Sequence, residues 1–89
     1  MSRVKNVIGP QLRSLRKDRE MTQDILVAKL QTNGLSHMNR ISVSKIENQT
    51  RNVTDYELQI MAKILGVSPN ELFPPFSVTL KLVSNIGPR

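Results

Sequence analysis

Residues 12–30, LRSLRKDREMTQDILVAKL, hold two helices and the break between them. Leu12 and Leu15 recur at helical spacing, Ile8 extends their stripe, and Gly9-Pro10 provides a residue preorganised for a first helical position. This predicts a first helix over about 10–20. Met21-Thr22-Gln23 interrupts it: Thr22 is a capping residue, Asp24 suits the positive end of a helix, and Leu26, Val27 and Leu30 form an inward stripe. A second helix is therefore expected over about 23–31.

Downstream, Gln31-Thr32-Asn33-Gly34 reads as a helix exit, with a glycine suited to left-handed backbone. Asn39 is the best cap for a third helix, with Ser36 as a competing start. From Asn39, Val43, Ile46 and Glu47 share one face while Arg40, Ile41, Ser44 and Lys45 project elsewhere. Thr54…Glu57 and Ser68…Glu71 both match the capping box, in which hydroxyl and glutamate satisfy orphan amides reciprocally. They open a fourth helix, expected from about 55 to Leu65 with its stop at Gly66, and a short fifth ending before Pro74-Pro75. Phe76–Val83 then alternates like a strand, with Val78, Leu80 and Leu82 on one face. A lone strand cannot satisfy its own backbone, so it is expected to pair with a second copy, to dock, or to stay disordered.

The chain has 89 residues, 38% of them apolar, with three aromatics (Tyr56, Phe73, Phe76) and no cysteine. That excludes a large catalytic architecture, disulfides and thiolate chemistry, and leaves one small domain with an aliphatic core. No leader-like or membrane-length apolar run interrupts it, so a cytoplasmic protein is expected. Charge is uneven: residues 1–20 carry six basic and two acidic groups, residues 21–51 four and two, and residues 52–89 three of each. A basic N-terminal half suits a polyanion.

The segments LRSLRKDREMTQDILVAKL, SVSKIEN (residues 42–48) and YELQIMAKILGVSPNELF (residues 56–73) together resemble the Cro/repressor family of helix-turn-helix DNA-binding proteins. The resemblance spans roughly residues 8–73 and implies an all-α, five-helix, lambda-repressor-like domain. Residues 1–7 are then a flexible basic arm, and residues 74–89 an extended tail for dimerisation or partner binding. In that pattern the third helix enters the major groove, with Arg40, Ile41, Ser42 and Lys45 at the base-reading positions and Ser44 as a further candidate. Gln23 matches a phosphate-clamping glutamine, with Thr22, Asn39, Asn48 and Arg51 as further phosphate contacts. Arg16 and Glu47 match a pair that fixes the reading helix. The chain departs from the family at the turn between the second and third helices, lengthened by about six residues against the usual 3 to 4.

His37, the lone histidine, has no fitting neighbour in Leu35-Ser36-His37-Met38 and is read as a plain loop residue. Asp18, Glu20 and Asp24 are read as solvated or paired. No catalytic residue, metal ligand or cofactor is expected. On the fourth helix Leu58, Met61, Ala62 and Leu65 make a core stripe, while Tyr56, Ile60 and Ile64 make a second one for a dimer partner or the tail. The reading is a homodimeric, sequence-specific regulator of transcription, most simply a repressor on a palindromic operator. The alternatives are an antitoxin whose tail grips a toxin, and a protein-interaction module that keeps the fold without binding DNA.

Overall fold

A computed structural model describes residues 4–84 of the chain. Its helices are α1 (Gly9–Asp18), α2 (Gln23–Thr32), α3 (Arg40–Glu47), α4 (Asp55–Leu65) and α5 (Phe76–Val83), with a 3-10 turn at Pro69–Leu72. The starts of α2, α3 and α4 are set by side chains that occupy orphan amides. Thr22 Oγ1 accepts from the Ile25 amide at 3.1 Å and Asn39 Oδ1 from the Ser42 amide at 2.8 Å. At α4 the box closes both ways, with Glu57 N–H donating to Thr54 Oγ1 at 3.2 Å and Thr54 N–H to Glu57 Oε1 at 3.0 Å.

The first four helices end alike, in a left-handed residue that lets the next amide reach back five residues. Gly34 (φ 103°) and Gly66 (φ 72°) are natural there, whereas Glu20 (φ 56°) and Gln49 (φ 65°) hold the same conformation with a side chain. The amides of Met21, Leu35, Thr50 and Val67 close these ends on the carbonyls of Arg16, Leu30, Lys45 and Ala62.

The core is aliphatic, as composition requires: Leu12, Leu26, Leu30, Val43, Ile46, Met61 and Leu72 are fully buried, while Tyr56, Phe73 and Phe76 all stand outside. α3 packs on both α1 and α2, α4 on α2, and the 3-10 turn on α1 and α4. The α1–α3 approach depends on Gly9, because a Cβ there would run into the carbonyl oxygens of Ile46 and Glu47.

The arm expected to be flexible over residues 1–7 is tied down from Lys5 onward, and residues 1–3 lie outside the described residues. The Lys5 amide donates to Gln49 O at 2.8 Å. Asn6 Nδ2 donates to Ile46 O at 3.1 Å and Arg51 O at 2.8 Å, while its Oδ1 accepts from the Gly9 amide at 2.8 Å.

The strand expected over residues 76–83 is instead helix α5. The sequence FSVTLKLV supports both periods over so short a run, since Phe76, Leu80 and Val83 also fall on one helical face. Backbone satisfaction favours the helix: without a neighbouring strand, only a helix supplies its own acceptors. The amides of Val78 and Thr79 close on Pro75 O at 2.9 and 3.2 Å. No residue of α5 is buried. Residues 85–89, the end of the expected tail, lie outside the described residues.

Candidate nucleic-acid interface

One face of α3 is committed to the interior. Val43, Ile46 and Glu47 are buried, while Arg40, Ile41 and Lys45 are exposed, with Ile41 at 66%. With 3.6 residues per turn, Arg40, Ser44, Asn48, Ile41 and Lys45 follow one another around an outward arc of about 140°. Ser42 falls off this arc, on the inward side, and its hydroxyl donates to the Asn39 cap at 3.0 Å. Asn48, expected at the backbone, lies on the arc beside Ser44 and Ile41.

Behind the arc, α3 is fixed by a charged cluster. Arg16 donates from Nε to Glu47 Oε2 at 2.7 Å and from Nη2 to Oε1 at 3.0 Å, and its Nη1 reaches Met21 O at 2.7 Å. Gln23 Nε2 donates to Glu47 Oε1 at 3.1 Å. Glu47 therefore joins α1, α2 and α3 through one carboxylate, and the planar guanidinium fork gives the joint a defined orientation. Thr22 is exposed beside Gln23 at the N-terminus of α2, where first-turn amides face outward.

Not every outer basic residue is without a protein partner. Arg19 Nε donates to Leu65 O at 2.6 Å, tying α1 to the C-terminal end of α4. Arg51, expected to contact phosphate, is turned onto Glu57: Nη1 meets Oε1 and Nη2 meets Oε2, both at 3.0 Å. This bond is the main cause that raises the Arg51 pKa above its already high ordinary value. Burial works to raise the Glu57 pKa, but hydrogen bonds from Arg51, His37 and the Thr54 amide outweigh it and bring it to about 2.

His37 and Asn6 are the residues that sequence reasoning missed. His37 Nε2 lies 2.7 Å from Glu57 Oε2, a partner twenty positions along the chain. No local signal marks that pairing. On α4, Tyr56 is exposed, whereas Ile60 and Ile64 are half-buried and pack against the core. Among the described residues no group of three or more His, Cys, Asp or Glu is placed to hold a metal, and no helix is long and apolar enough to cross a membrane.

A family model described as Helix-turn-helix matches residues 12–72. Among solved structures, the restriction-modification controller protein C.AhdI from Aeromonas hydrophila is similar at 32% identity and TM-score 0.59, over 74% of this chain and 91% of that one. A hypothetical transcription factor, NHTF, from Neisseria is similar at 25% identity and TM-score 0.67, over 89% and 84%. The DNA-binding domain of BldD shares the fold at 24% identity and TM-score 0.63, over 83% and 100%. No curated protein matches the chain.

Proposed function

The chain belongs to the Cro/C1-type helix-turn-helix family of DNA-binding regulators, and from that premise we propose that it is a cytoplasmic, sequence-specific repressor acting as a homodimer on a palindromic operator. The observation that carries this reading is the outward arc of α3, held from behind by Arg16, Glu47 and Gln23. Arg40 and Lys45 donate to guanine acceptors, Ile41 meets a thymine methyl, and Ser44 and Asn48 lie between them. Thr22 and Gln23, with the first amides of α2, take a phosphate. Asn39 serves chiefly as the cap of α3 and Arg51 as a partner of Glu57, so neither is a principal phosphate contact.

The dimer rests on α5. Phe76, Val78, Leu80 and Val83 are all exposed, Phe76 at 74%. An open apolar cleft lined by Val7, Ile8, Val53, Leu58 and Phe73 lies where the tail leaves the domain. Eight residues with apolar groups on both faces call for a cover, and a second copy supplies one. Tyr56 on α4 is exposed as well and is a second candidate for the interface. The similar structures are described as a controller protein, a hypothetical transcription factor and a DNA-binding domain, which supports a DNA-binding regulator.

The test is selection of bound duplexes from a random library at near-physiological salt. A palindromic motif with half-sites about 10 base pairs apart is the expected outcome. A folded sample that enriches no motif overturns the proposal and favours a protein-interaction module.

A further inference from the structure

The connection between α2 and α3 is seven residues long, Asn33–Asn39, against about 3 to 4 in the usual motif. The turn is thus lengthened by about three to four residues rather than the six expected, the remainder being taken up by α2 running on to Thr32. An insertion of this size would ordinarily loosen the helix it introduces. Here it is packed down. Leu35 and Met38 are buried at 2% and 1% exposure, and Gln31 Nε2 donates to Met38 O at 2.7 Å. Between those anchors, His37 reaches across to the buried carboxylate of Glu57.

Glu57 has more partners than a capping box requires. Reaching back to the Thr54 amide uses one contact of one oxygen. Its remaining bonds come from His37, just before α3, and Arg51, just after it. The two segments that flank the outward arc are thus both fastened to α4 at a single carboxylate. His37 lies two residues before Asn39, the cap that sets where α3 begins. Any slack at His37 is passed to Arg40 and Ile41.

We propose that His37 is a positioning residue for DNA recognition: docked on Glu57, it fixes the N-terminal end of α3, and the grip on DNA weakens as the imidazole loses its charge. This rests on the DNA-binding reading above. An imidazolium meets the Glu57 carboxylate as an ion pair as well as a hydrogen bond, whereas the neutral ring, though it can still donate, loses the attraction between opposite charges. The neutral ring also admits a tautomer with a lone pair facing the carboxylate, which breaks the contact. The charged and titratable groups at the junction are Glu57 from α4, Arg51 from the segment after α3, and Tyr56 beside Glu57, which acts on Arg51. Of these residue types and His37, only histidine ordinarily changes charge between about pH 5 and 8. Because the chain has one histidine, a side-chain response in that window points to one position.

The experiment uses the full chain, wild type and with His37→Gln and His37→Ala, each checked for an unchanged melting temperature at pH 8. Affinity for the selected duplex is measured from pH 5.5 to 8.5 at constant salt. In parallel, without DNA, exchange of the Met38, Ser42 and Val43 amides is followed and corrected for intrinsic rates. Wild type is expected to bind roughly 5-fold tighter at the acidic end, with amide protection falling as pH rises, while both variants are flat in each measurement. Parallel pH profiles for wild type and variants, or protection in wild type that ignores pH, overturn the proposal. If wild type binds no duplex at any pH, the DNA-binding reading fails by itself, and the exchange measurement still decides whether His37 holds the helix.

Discussion

Arg16 meets Glu47 across the α1–α3 contact with both arms of its guanidinium, Nε at 2.7 Å from Oε2 and Nη2 at 3.0 Å from Oε1. Both residues are buried, at 6% and 7% exposure. Removing one partner strands the other's charge away from water. Arg16→Ala is therefore expected to lower unfolding free energy by about 3–5 kcal/mol, read from urea titration. Replacing both residues by apolar ones of similar volume should recover most of that loss. A single-variant loss under 1 kcal/mol would show that the pair contributes little.

Gly9→Ala offers a test by sign. In an unobstructed helix this change stabilises by about 1 kcal/mol. Against the carbonyls of Ile46 and Glu47, the added methyl forces α1 away from α3, and a net loss of about 1–3 kcal/mol is expected. Thermal melting distinguishes the two, at about 4–8 °C per kcal/mol for a domain of this size.

The cluster around Glu57 gives an acid limb to stability. Its folded pKa, near 2, is below the ordinary value of 4.5, so the unfolded state takes up the proton first. The stabilisation is complete above the unfolded value and is lost as pH falls from about 4.5 to about 2. Glu57→Gln should be less stable than wild type at pH 7, and the gap should narrow through that range. A constant gap from pH 6 to 2 would contradict the assignment.

On DNA, Arg40→Ala and Lys45→Ala should each reduce discrimination between the selected site and a variant of it by about 1–3 kcal/mol. Gln23→Ala should weaken all duplexes alike. Competition binding across a panel of single-base variants separates the two patterns, and identical patterns for all three changes would refute the assigned roles.

Leu80→Glu places a charge on the apolar face of α5. Sedimentation is expected to show wild type as a dimer at micromolar concentration and the variant as a monomer with an unchanged melting profile when dilute. A wild-type monomer at all accessible concentrations would remove α5 from the assembly.

What could be read in the sequence was what is decided within a few residues. The Thr54…Glu57 box, the Asn39 cap and the exit at Gly66 each depend on chemistry inside one helical turn. Long-range pairings left no such mark. The partner of His37 is twenty positions away and that of Asn6 forty or more, and their meeting depends on loop paths that no local preference encodes. Arg19 and Arg51 counted toward a basic surface by composition, yet the fold uses them on Leu65 O and Glu57. Residues 76–83 were too short for periodicity to separate strand from helix, and the need for backbone partners decided it.

The uncovered state of α5 bears on how sharply the protein responds to its own abundance. A helix of eight residues, none of them fully buried, has little free energy of its own, since helices shorter than about 12 residues are marginal in water. In the proposed dimer, ordering α5 and joining two copies become a single coupled event, and dimerisation is weaker by the cost of that ordering. Dimer concentration then rises with the square of monomer concentration over a wider range of copy number. If this dimer is the form that binds an operator, as proposed, occupancy follows that curve, and a modest change in synthesis gives a more than proportional change in output.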